Sequence, residues 1–244
     1  MNYKKVYSQY IKVIISVIVC SYPLSSLAQD KFPGSPELPR FALRANIGIP
    51  KIVSSEQYRN SFSGVITGEI GITCKLVSNY FFGVGYSYNY FKAQRYFREN
   101  TDPRINASMQ MHGGYLKLGY DHFFKENAFT TISFNMGYQS GKYYGLQYPV
   151  RDTVRSGHIT DFGNAYVEPM IGVYFIVDPN FAFGAHLSYS YNFQQFNASN
   201  IGFDKFGFAK SPDKPRAYND LHNKWGMSMI TLGFGFYYGL VRKR

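Results

Sequence analysis

Residues Thr231 to Tyr238 read TLGFGFYY, and their alternation decides the fold. Ile230, Leu232, Phe234, Phe236 and Tyr238 occupy every second position, with Met229, Thr231, Gly233 and Gly235 between them. Side chains on a strand alternate between its two faces, so this segment presents one continuous greasy face and one small or polar face. A narrow barrel embedded in lipid needs that distribution, with large apolar groups outside and small or polar groups within.

The beginning of the chain agrees with its end. Lys4, Lys5 and Lys12 precede a short apolar run, Val13 to Cys20, and Ser26-Leu27-Ala28 forms a small-x-small cleavage site before Gln29. The run is too short to span a bilayer as a helix. Residues 1–28 therefore read as a secretory signal peptide and are set aside from fold reasoning. The remaining sequence, 29–244, holds no apolar stretch long enough for a transmembrane helix. The full chain is 19% aromatic, with 23 Tyr, 22 Phe and 23 Gly against a single Trp. That composition suits lipid-facing girdles and crowded interior positions of a barrel. A mean hydropathy of −0.25 is compatible with it, because alternation cancels in any window average. Cys74 is the one cysteine left after cleavage, which excludes an intrachain disulfide and a cysteine-rich metal site.

Eight segments alternate, at roughly 40–49, 61–77, 80–92, 112–123, 128–139, 165–177, 181–192 and 225–238. In the second, Phe62, Ile66, Ile70, Ile72, Cys74 and Leu76 share one face, and Val65, Thr67, Glu69, Thr73 and Lys75 the other. Ser78-Asn79, Lys125-Glu126-Asn127 and Asp178-Pro179-Asn180 are tight turns made of turn-forming residues. The other connections, near 50–60, 93–111, 140–164 and 193–224, are long. Short turns at one end and long loops at the other predict an eight-stranded antiparallel up-and-down transmembrane barrel with turns and termini in the periplasm and loops outside. The expected organisation is a signal peptide at 1–28, a periplasmic segment at 29–39, a barrel at 40–238 and a basic tail at 239–244. A soluble lipocalin-like barrel is the competing fold; it would turn its apolar face inward and carry more Lys and Glu on its polar face. Pro169 cannot donate to a strand ladder, so it is expected near the outer rim or at a bulge.

Parity turns Arg44, Glu69, Lys75, Lys117, Asp121, Glu168 and His186 inward. An eight-stranded barrel is just wide enough for side chains to fill, and buried charges must be paired. Three basic and three acidic groups with one histidine thus predict a salt-bridged polar plug; a narrow small-solute channel is the alternative. His112 and His122 fall on the lipid-facing parity near strand ends. His186 and Ser188 share a face of the seventh strand, and pairing about the turn at 178–180 brings Glu168 opposite Ser190. A Glu, His and Ser set can support acyl transfer, and the His-x-Ser spacing is similar to that of PagL-type lipid A deacylases. In those enzymes the site faces lipid, whereas here Phe183, Ala185, Leu187 and Tyr189 hold that face. No catalytic, cofactor or metal site is expected.

The net charge is +11, and +8 after removal of the three signal lysines. The basic residues lie in loops and at the C-terminus, not on one helix face, so no nucleic-acid partner is expected. The second loop carries Lys92, Arg95, Arg98 and Arg104 against Glu99 and Asp102; the fourth carries Lys205, Lys210, Lys214, Arg216 and Lys224 against Asp204, Asp213 and Asp220, interleaved with Phe193, Phe196, Phe203, Phe206 and Phe208. Such loops suit lipopolysaccharide phosphates, another acidic extracellular ligand, or no ligand at all.

A polar Thr231, then Gly233, then aromatics at Phe236 and Tyr238 close to the chain end resemble the C-terminal assembly signal of bacterial outer-membrane β-barrels. With the eight alternating segments, residues 29–244 resemble small outer-membrane barrels of the OmpX or OmpA-barrel kind. The resemblance implies recognition of the last strand by the barrel assembly machinery, contact with outer-membrane lipids and lipopolysaccharide, a monomeric barrel, and an envelope-structural or surface-interaction role.

Overall fold

The computed structural model describes residues 38–53, 58–59, 62–93, 107–144, 149–150, 153–154, 158–193 and 226–241. Its strands are β1 (Phe41–Ile52), β2 (Phe62–Lys75), β3 (Tyr80–Ala93), β4 (Ser108–Lys125), β5 (Ala128–Tyr144), β6 (Pro149–Val150), β7 (Thr153–Val154), β8 (His158–Asp178), β9 (Phe181–Asn192) and β10 (Met227–Val241). The pair β6–β7 is a small separate hairpin. The other eight form one closed antiparallel barrel in which neighbours in sequence pair, β5 pairs β8 across the hairpin, and β10 closes on β1. Closure gives each of the eight strands a ladder partner on both sides, so no strand ends the sheet. The signal-peptide reading at 1–28 and most of the 29–39 segment lie outside the described residues.

The turn-forming sequences make the tight connections. Ser78 adopts a left-handed backbone (φ 58°) in the β2–β3 turn, and the Asn180 amide donates to Asp178 Oδ1 at 3.0 Å in the β8–β9 turn. Both ends of the described barrel chain, Phe41 and Val241, meet at this turn end. The last strand runs through Val241, so Gly239–Val241 are ladder residues and not part of a tail. At the loop end β4, β5 and β8 continue to 18, 17 and 21 residues. Those lengths exceed the roughly 9–11 residues that a membrane-crossing strand needs, so this side of the wall rises past the bilayer.

The apolar faces point out and the small and polar faces point in. Ile47, Ile49, Ile70, Ile72, Val84, Leu116, Leu118, Ile132, Ile171, Leu187 and Leu232 are exposed on the outside. Above and below this aliphatic waist the exterior turns aromatic, with Tyr80, Phe82, Phe175, Phe236 and Tyr238 toward the turns and Tyr86, Tyr88, Tyr138 and Tyr189 toward the loops. An aliphatic band between two aromatic girdles is the surface of a lipid-spanning barrel and the reverse of a lipocalin.

Glycine makes room for rings inside. A Cβ on Gly85 would strike the Tyr115 ring, one on Gly119 the Phe81 ring, and one on Gly235 the Tyr174 ring. Tyr115 and Phe81 thus each lie over a glycine of the neighbouring strand, and Tyr174 reaches past β9 to a glycine of β10.

Two expectations change. Phe62 is buried inside (1% exposed) instead of facing lipid, because the β2–β3 register shifts between Gly64 and Ile66. That bulge inserts one residue and reverses parity for the start of β2. Pro169 sits midway along β8, opposite Phe134, neither at the rim nor at a register shift. On its other side the β8–β9 ladder passes from Val167↔Tyr191 to Met170↔Ser188 in unbroken register, skipping Glu168 and Pro169. The missing N–H is accommodated as a gap in one ladder.

Candidate functional site

The barrel interior is layered. At the turn end Ala42, Phe123, Phe129, Tyr174, Ala182 and Tyr237 form an apolar cluster. Phe129 is its centre, stacked on Tyr174 at 5.3 Å and flanked by Phe123 at 5.5 Å and Tyr237 at 5.9 Å. At the loop end Ile52, Phe62, Phe91, Met109, Met111, Tyr143, Met227 and Met229 form a second cluster, closed by Tyr58 from the β1–β2 connection. Between these stoppers lies the polar middle.

Two ion pairs anchor that middle. Arg44 Nη2 and Nη1 donate to Asp121 Oδ2 and Oδ1 at 2.6 and 3.2 Å, and Arg44 Nε donates to Thr73 Oγ1 at 3.2 Å. The guanidinium lies 3.9 Å over the Phe81 ring and 5.0 Å over that of Tyr237. Thr131 Oγ1 donates to Asp121 Oδ1 at 2.6 Å. Lys117 Nζ meets Glu69 Oε2 at 3.5 Å. Glu69 also accepts from Asn46 Nδ2 at 3.1 Å and Asn135 Nδ2 at 3.2 Å. Glu168 has no cation of its own in these pairs; it accepts from Ser188 Oγ at 2.6 Å and from Asn135 Nδ2 at 3.3 Å. Toward the loops, Gln139 Nε2 donates to Ser87 Oγ at 2.9 Å, which also contacts the Tyr166 hydroxyl at 3.2 Å.

Arg44, Glu69, Lys117, Asp121, Glu168 and His186 thus all lie in the interior, Arg44 and Asp121 in one bonded set with Thr73 and Thr131, and Lys117, Glu69 and Glu168 in a second one joined through Asn135. His186 is buried beside them, with Nδ1 unpartnered and its ring against Gly233. Lys75 is half-buried at the end of β2 and joins neither ion pair. Sequence reading left Asn46, Ser87, Asn135 and Gln139 out of the interior network, because it counted charges, although their inward parity was the available signal.

The Glu168, His186 and Ser188 set does not form a relay. Ser188 directs its proton to Glu168, not to the imidazole, and all three are sealed between apolar layers away from any acyl chain. Among the described residues, no group of three or more His, Cys, Asp or Glu is arranged to hold a metal ion.

On the outside, Phe236 and Tyr238 face lipid, 42% and 50% exposed, while Thr231 and Gly233 face the interior. Gly233 is held by geometry, since a Cβ there would strike the Ile47 carbonyl oxygen and approach Gly48 Cα at 2.7 Å. His112 lies against Tyr86 at 6.1 Å and His122 against Tyr120 at 6.4 Å, both on the outer wall. The basic clusters of the second and fourth loops lie outside the described residues, apart from Lys92.

No protein-family model and no curated protein matches the sequence. Solved structures similar in architecture are Neisserial surface protein A (13% identity, 84% of this chain and 99% of that one, TM-score 0.46), a major outer-membrane protein from Thermus thermophilus (12%, 81% and 99%, TM-score 0.45), and the attachment invasion locus protein of Yersinia pestis in complex with the heparin analogue sucrose octasulfate (10%, 83% and 100%, TM-score 0.42). These are small outer-membrane barrels, and the likeness is one of strand architecture: this chain is a closed, eight-stranded, antiparallel β-barrel with a lipid-facing exterior and a filled interior.

Proposed function

We propose that the chain is a non-enzymatic integral outer-membrane barrel whose wall serves as a fixed frame for long basic loops at the cell surface, in an envelope-structural or surface-interaction role. The observation that carries this reading is the interior. An aliphatic exterior places the barrel in lipid, and two apolar stoppers with an ion-paired layer between them leave its lumen to side chains instead of solute. Whatever the molecule contacts it then contacts with its loops and its outer wall. The TLGFGFYY strand is the segment offered to the barrel assembly machinery, with turns and termini periplasmic, and the folded unit is a monomer. Lipopolysaccharide phosphates are the acidic groups nearest to basic loops on such a surface.

Two measurements test this together. Purified barrel in planar bilayers is expected to give no steady conductance, and outer-membrane fractions are expected to hold protein beginning at Gln29. A stable ohmic pore would overturn the filled-lumen role, and recovery only from the soluble periplasm would overturn the location.

A further inference from the structure

Charge does not balance in the polar middle. Its cations are Arg44 on β1 and Lys117 on β4; its acids are Glu69 on β2, Asp121 on β4 and Glu168 on β8. Among the described residues, the inner faces of β3, β5 and β10 add no charged side chain. Arg44 is matched by Asp121 and Lys117 by Glu69. Glu168 is thus a third acid against two cations, buried between the two apolar stoppers. An ionised carboxylate there has no counter-charge, and a fold does not keep a buried charge in that state.

The neighbours of Glu168 point the same way. Asn135 Nδ2 of β5 donates both to Glu69 Oε1 at 3.2 Å and to Glu168 Oε2 at 3.3 Å, so two carboxyl groups converge on one amide nitrogen. They also lie within hydrogen-bonding reach of each other. Ionised carboxylates only accept, so a hydrogen bond between two of them needs a proton on one. Glu69 is the ion, because Lys117 Nζ stands 3.5 Å and Asn46 Nδ2 3.1 Å from its Oε2. Ser188 Oγ donates to Glu168 Oε1 at 2.6 Å, which leaves Oε2, on the Asn135 side, to carry the proton. His186 of β9 does not supply the missing positive charge. An imidazolium donates from both nitrogens, and the buried Nδ1 of His186 has no partner. The other titratable groups turned toward the middle, Tyr115 of β4 and Tyr166 of β8, and Tyr174 and Tyr237 at its turn end, bring no positive charge either.

We infer that Glu168 is a proton-binding site: the folded barrel holds one proton between Glu168 and Glu69 at neutral pH, and its release in alkali sets two carboxylates against one lysine and loosens the polar middle. This property of the interior is independent of the surface role proposed above. The unfolded chain leaves the same glutamate ionised and hydrated, so folding takes up a proton and stability falls as pH rises. The test is urea unfolding of the full-length mature protein in lipid vesicles from neutral to alkaline pH, for wild type, Glu168→Gln and His186→Gln. Glu168→Gln keeps the shape and a donor toward Glu69 but needs no proton. Relative to that variant, the wild-type unfolding constant is expected to rise about tenfold per pH unit, the signature of one proton. His186→Gln is expected to follow wild type. Parallel profiles for wild type and Glu168→Gln overturn the proposal, and so does a His186→Gln profile that matches Glu168→Gln. The infrared spectrum of folded wild type at neutral pH gives a second reading that needs no variant. The C=O stretch of a buried, protonated carboxylic acid is expected there, and carboxylate bands alone would overturn the site.

Discussion

Replacing Arg44 with Met tests the interior directly. Arg44 and Asp121 are both buried, and the guanidinium supplies two of the three hydrogen bonds recorded to that carboxylate. Removing it leaves Asp121 with Thr131 alone. Breaking a buried pair from one side costs about 3–5 kcal/mol, because the remaining charge is desolvated without compensation. The contacts over Phe81 and Tyr237 add about 0.5–2 kcal/mol of cation–π attraction that Met does not replace. Asp121→Leu alone has a comparable cost, since it strands the arginine. The double variant Arg44→Met with Asp121→Leu leaves neither charge, and replacing a buried pair with apolar groups is often neutral or stabilising by about 1–4 kcal/mol. The signature is therefore strong non-additivity, with the double variant more stable than either single one. Urea unfolding in lipid vesicles, read by the mobility difference between folded and unfolded barrel on gels, measures all four proteins. A single-variant cost below about 1 kcal/mol, or costs that simply add, would refute a dry, paired interior.

Glu69→Ala or Lys117→Ala is expected to lose about 3–5 kcal/mol by the same logic, without opening a conductance, while Lys210→Ala in the fourth loop changes stability by under ~0.5 kcal/mol; the same unfolding series ranks them, and equal costs would contradict the inward assignment. Phe129→Ala removes the central ring of the turn-end stopper and is expected to cost about 3–5 kcal/mol, seen as a lower urea midpoint. Phe236→Ala with Tyr238→Ala is expected to lower the folded fraction in cells more than either single change, read as loss of the fast-migrating band, whereas an unchanged folded fraction would remove the assembly role of the last strand.

Phe62 and Pro169 show what kind of error sequence reading makes in a barrel. Counting by twos assigns a face correctly until a bulge intervenes, and nothing in FSGVITG fixes the extra residue at Val65. The bulge arises where β2 must accommodate the Pro50 carbonyl, whose space a Cβ on Gly64 would occupy. A rule that excludes proline from paired strands placed Pro169 near the outer rim or at a bulge, but the wall admits it by giving up one stretch of the β8–β9 ladder while the β5 side holds.

The alternation of eight segments and the contrast of short turns with long connections determined the strand count and the up-and-down topology; the inward set Arg44, Glu69, Lys117, Asp121, Glu168 and His186 followed from alternation alone. Those properties are local, because a strand's two faces are read from adjacent residues and a turn from two or three. Tertiary structure decided everything that depends on who lies across the lumen. Arg44 and Asp121 are far apart in sequence, and only closure of the barrel joins them instead of some other acid and base. The two apolar stoppers, the capture of Ser188 by Glu168 and the meeting of Glu69 with Glu168 at Asn135 are likewise consequences of register between strands. Register is set jointly by all the ladders of the closed sheet, and a single strand's pattern does not contain it.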